Sequence, residues 1–179
     1  MTTVAGDLLA AIPHASWFAA LGAPLEPGER AELSAYLAGL DLVATVAPVR
    51  DWQTAGRVAA APDWDRRWWD AEERLRVALL LRAEATAGSE ATMKQLTAVT
   101  MAAHDATIGA AAMAAAAAGV ADQALIRVAA GAATQACYQA ALALLAGADA
   151  TGGPFAAKLR LFRAGRWPLG IVGGRAYIF

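Results

Sequence analysis

Along most of this chain apolar residues recur at spacings of three and four, the period of a helix that buries one face. Leu33, Tyr36, Leu37 and Leu40 make such a stripe and predict a helix over residues 29–40. The strongest stripe passes through Trp64, Trp68, Ala71, Leu75, Ala78 and Leu79 and predicts a helix over 63–85. Its other side sets Asp63 with Arg67, Arg66 with Asp70, Asp70 with Arg74 and Glu72 with Arg76 at i,i+4, the mark of a solvated face. Pro and Gly punctuate the rest. They predict a short helix over 4–11, a second piece over 13–21, and a helix over 48–60 with Pro48 in its first turn. Further helices are predicted over 90–118, 122–146 and 155–163.

The pattern changes character twice. Between Thr107 and Val120 the polar face disappears, and a helix apolar all round is expected to be buried all round. That places residues 108–118 at the centre of a bundle or in an interface between subunits. Gly109, Ala110, Ala114 and Gly119 would let neighbouring backbones come close. After Gly165 two β-prone runs, Trp167 to Val172 and Arg175 to Phe179, flank Gly173-Gly174. They read as a hairpin with a tight primed turn, or as an extended arm, docked on the helices through its aromatics. The expected fold is therefore all-α and single-domain: a bundle of about six helices over residues 4–163, with a C-terminal hairpin or arm over 166–179.

Composition narrows the classes of function. Hydrophobic residues make up 58% of the 179 and charged ones 17%, which excludes a disordered chain. Fifteen Lys+Arg against sixteen Asp+Glu leave a net charge of -1, without the basic excess of a nucleic-acid binder. The single cysteine, Cys137, forms neither an internal disulfide nor a thiolate metal site, and it suits a reducing, cytoplasmic setting. No cationic segment followed by an apolar core opens the sequence. The charge-free stretch 106–121 is shorter than the roughly 20 residues of a spanning helix. The stretch 128–148 is long enough, but it is rich in alanine and carries Thr134, Gln135, Tyr138 and Gln139, which argues against a membrane span.

Candidate chemistry is sparse. The two histidines, His14 and His104, lack the Glu-x-x-His and His-Glu-x-x-His contexts of helical metal sites, so neither metal nor cofactor is expected. No catalytic triad, dinucleotide fingerprint or phosphate loop is present, and no catalytic residue is assigned. A polar stripe does run along the apolar helices. Lys94, Thr97, Thr100, His104 and Thr107 share one face, as do Gln123, Arg127, Thr134 and Tyr138 on the next helix. If the two faces meet, Thr97, Thr100, His104, Arg127, Thr134 and Tyr138 would enclose a pocket for a small anion; otherwise each stripe is the solvent side of its helix. Arg66, Arg67 and Trp69 form a candidate partner contact, with Trp69 about 100° from the core stripe. Arg166 and Trp167 belong to a basic, aromatic cluster with Lys158, Arg160 and Arg163 that reads as a second contact or a solvated patch. Cys137 reads as a buried small hydrophobe. The function expected is a non-catalytic interaction or scaffold module forming a homo-oligomer. The alternative is a small-molecule-binding or enzymatic bundle around His104 and Arg127.

Overall fold

The structure, a computed structural model, describes residues 5–149 and 151–179. It is a mostly helical bundle carrying a small three-stranded sheet. Its helices are α1 (Gly6–Ala11), α2 (Pro27–Ala38), α3 (Trp52–Ala59), α4 (Arg66–Ala87), α5 (Ser89–Ala117), α6 (Gln123–Leu145) and α7 (Pro154–Arg163). The strands are β1 (Thr45–Pro48), β2 (Pro168–Val172) and β3 (Arg175–Ile178), in the order β1-β3-β2.

Local chemistry explains where most helices start. Glu26 and Glu29 form a capping box at the head of α2, with the Glu26 N–H donating to Glu29 at 2.8 Å. Asp122 caps α6 by accepting from the N–H groups of Ala124 and Leu125. The expected second piece over 13–21 is instead a single 3-10 turn, Ile12–His14, followed by turns. Pro48 does not open a helix either. It ends β1, and Asp51 caps α3 by accepting from the Thr54 N–H at 2.7 Å. A proline is tolerated there because β1 is an edge strand.

The long helices α4, α5 and α6 form the frame. Ala103, Thr107, Ala111 and Ala115 of α5 are wholly buried, as are Ala129 and Ala133 of α6. At these small side chains the backbones approach closely, and the Thr107 hydroxyl reaches the Ala130 carbonyl at 3.2 Å. The segment 108–118 is not buried all round: Ala111 and Ala115 are enclosed, whereas Met113 is 76% exposed. It therefore does not occupy the centre of the bundle. Among the described residues α6 alone is long and apolar enough to cross a membrane, and 61% of its most apolar window is buried inside the fold.

The hairpin forms as the sequence implies. Gly173 and Gly174 hold φ of +55° and +74°, the left-handed pair that a primed turn needs between β2 and β3. Beyond the sequence expectation, β3 also pairs in parallel with β1, from Thr45–Arg175 to Pro48–Ile178. The tail docks through aromatics: Trp52 meets Trp167 at 6.1 Å and Phe179 edge-on at 5.5 Å.

Candidate functional site

The two polar stripes meet, but only at one point. Thr107 Oγ1 lies 3.0 Å from Thr134 Oγ1. Thr100 turns its hydroxyl back to the Leu96 carbonyl at 2.8 Å. Thr97, His104 and Arg127 are exposed, while Thr134 and Tyr138 are half-buried. The Thr107 contacts set the antiparallel register, leaving His104 and Arg127 more than two turns apart along the seam, about 12 Å at 1.5 Å per residue. Imidazole and guanidinium are not brought together in one pocket.

The partner-contact residues divide. Arg66, Arg67 and Trp69 are exposed, with Trp69 at 62%. Trp64, Arg66, Trp69 and Asp70 frame an open depression of about 440 Å³. Arg166 and Trp167, in contrast, are buried and present nothing to a partner. Arg166 is consumed within the fold: it donates to the carbonyls of Ala20, Ala23 and Pro24 and to Glu29 at 2.8 Å. Nor do its neighbours form a solvated basic patch. Arg160 pairs with Glu32, and Lys158 is buried against Glu72 at 2.6 Å.

Glu72 belongs to a closed polar cluster between α2, α4, α6 and α7. The Trp68 indole N–H donates to the Tyr36 hydroxyl, which donates to Glu72 Oε1 at 2.5 Å. Gln139 donates to Glu72 Oε2 and accepts from Lys158, each at 3.1 Å. Lys158 Nζ also lies 5.8 Å from the ring centroids of Tyr36 and Trp68. Burial, reinforced by the Glu72 charge, pushes the Tyr36 hydroxyl well above its ordinary value. The i,i+4 spacing with Arg76 predicts Glu72 on a solvated face. Arg76 instead bonds Glu73, and Glu72 turns inward with Trp68 and Ala71. The voids flanking this cluster measure about 10 Å³ each, room for one water and not for a substrate. Its role is to bind elements together.

A larger concavity lies elsewhere. A cleft of about 820 Å³ opens between the last turns of α5, the loop 17–21 and residues 50–53 at the start of α3. Trp17, Leu21, Trp52, Met113, Val120 and Phe179 make it apolar, and alanines of α5 form one wall. Its other wall is strained. Phe18 holds φ of +60°, a conformation costly for a bulky residue, which turns Trp17 and Phe18 inward together. The Phe18 ring packs edge-on to Phe162 at 6.4 Å, and the Trp17 indole donates to the Ile12 carbonyl at 2.9 Å.

Two charged residues stand at the rim. The Asp51 carboxylate is committed to the Thr54 N–H and hydroxyl, which hold it below the usual range, with Arg57 adding to the effect. Arg50 makes no ion pair or side-chain hydrogen bond among the described residues. No periodic spacing in the sequence marks this site, because its walls come from four separated segments. The one local signal is the Trp17-Phe18 pair in a loop bounded by Pro13 and Gly22.

Cys137 is wholly buried, and burial pushes its thiol up to about 12. Among the described residues no group of three or more His, Cys, Asp or Glu could hold a metal ion. Compared with protein-family models, curated proteins and solved structures, the chain matches none.

Proposed function

We propose that this protein is a non-catalytic interaction module that pairs with a second copy of itself through the outward surface of the α4–α6 layer. One observation carries the reading. Of the eight exposed large apolar side chains among the described residues, seven lie on these three helices: Trp69, Val77, Leu81, Met93, Met101, Met113 and Val128. Exposed methionines are frequent on binding surfaces, because the thioether adapts to its partner.

The part of that surface on α5 and α6 is also unusually smooth. Gly109 and Gly131 sit inside helices, where glycine costs roughly 1 kcal/mol relative to alanine. A Cβ at either would meet nothing within 4 Å, so no packing inside the protomer calls for glycine there. Close approach of a second helix would. A net charge of -1 gives little self-repulsion to oppose pairing. A two-fold arrangement would set the same patch against itself. The cytoplasm is the setting that the lone thiol suits best.

Sedimentation equilibrium tests this directly. The wild type is expected to be a dimer, and Val128→Lys combined with Gly131→Leu is expected to give a folded monomer. A wild type that stays monomeric up to its solubility limit defeats the proposal.

A further inference from the structure

We propose that the 820 Å³ cleft beside α5 is a binding site for a free single-chain carboxylate, a medium-chain fatty-acid-like amphiphile with its head at Arg50. Three independent features of the cleft support this. Its volume falls within the roughly 300–1,000 Å³ of small-ligand sites. Its lining is apolar and mixed, with Leu21, Met113 and Val120 suited to an aliphatic chain between Trp17 and Trp52. Its hydrogen-bonding capacity is unbalanced, because the Asp51 carboxylate is engaged at the start of α3 while the Arg50 guanidinium has no partner among the described residues. A planar guanidinium at an apolar rim recognises a carboxylate in two-pronged fashion.

The strained Phe18 fits the same purpose. Its left-handed backbone keeps the 17–21 wall in one shape, and strain of this kind gathers at ligand clamps. The wall is fixed from behind by Arg166, which holds the Ala20 and Ala23 carbonyls. The cleft is thus formed before any ligand arrives, which lowers the ordering cost of binding. It uses the Ala110, Ala114 and Ala117 side of α5 and shares only Met113 with the surface proposed for self-association.

Isothermal titration calorimetry with dodecanoate and dodecanol, both below their aggregation limits, tests the assignment. The wild type is expected to bind dodecanoate more tightly than dodecanol. Arg50→Gln should weaken dodecanoate by about tenfold or more and leave dodecanol unchanged, as loss of a charge-assisted pair implies. Met113→Glu should weaken both, and Arg127→Gln, an exposed cation that does not line the cleft, should change neither. Failure of the wild type to bind dodecanoate overturns the proposal. So does an Arg50→Gln variant that binds dodecanoate as the wild type does. Binding to anionic phospholipid vesicles without binding to free dodecanoate also overturns it, in favour of a membrane surface.

Discussion

Tyr36 is held between a donor and an acceptor: Trp68 donates to its oxygen and its proton goes to Glu72. Deprotonation would put a second negative charge beside Glu72 in a buried setting, which is why the folded state resists it. The sign of the pH effect follows. In the unfolded chain Tyr36 releases its proton near 10.0, whereas the folded protein retains it. Above that pH the unfolded state binds fewer protons, so stability falls as pH rises. The contribution is complete below 10.0 and is lost as pH climbs toward the folded value. Urea unfolding across alkaline pH should show this loss, and Tyr36→Phe should flatten the slope while lowering stability at neutral pH. An unchanged slope would place the alkaline sensitivity elsewhere.

Helix interiors make a different demand. α5 and α6 pack closely because alanine and threonine line their seam, yet their glycines lie on the outside. Gly109→Ala and Gly131→Ala each add a methyl that meets open space in the protomer. Each is expected to stabilise the isolated protomer by about 0.5–1 kcal/mol, measured by denaturant unfolding at high dilution. Destabilisation in the dilute protomer would mean that a contact within the chain needs the glycine. The β1–β3 pairing belongs to this scale as well. It converts a run ending in Pro48 into an edge strand and leaves Asp51 to begin α3.

Across the whole molecule Arg166 joins the C-terminal tail to the first quarter of the chain, through three carbonyls of the loop before α2 and the Glu29 carboxylate. Burial tends to raise the Glu29 carboxyl, but Arg166 and the Glu26 N–H outweigh it and leave it below the usual value. Removing the guanidinium leaves several part-buried acceptors without their donor at once. Arg166→Gln is expected to cost about 1–3 kcal/mol, the range for leaving hydrogen-bond partners unpaired. Hydrogen exchange should quicken first over residues 19–26, with α5 and α6 the last to change. Uniform quickening would show that Arg166 supports the entire bundle, not this junction.

Features fixed by neighbours three or four residues apart were legible in the amino-acid order. The stripe from Trp68 to Leu79 became α4, although Trp64 stays outside it and bridges to Val172. Asp122 capped α6, and Gly173-Gly174 turned the hairpin. Each follows from backbone geometry and local hydrogen bonding, which act over one helical turn or one tight turn. What lay beyond that range was decided by packing. Glu72 has Trp68 four residues before it and Arg76 four after, so helical spacing suits an inward or an outward position equally. Lys158, 86 residues away, settles it, because a buried carboxylate needs a cation and the helix itself supplies none there. Likewise β1 exists only where β3 lies beside it. The cleft exists only where the loop 17–21 and the start of α3 are folded against the end of α5, and residues so far apart in the chain leave no periodic trace of the surface they share.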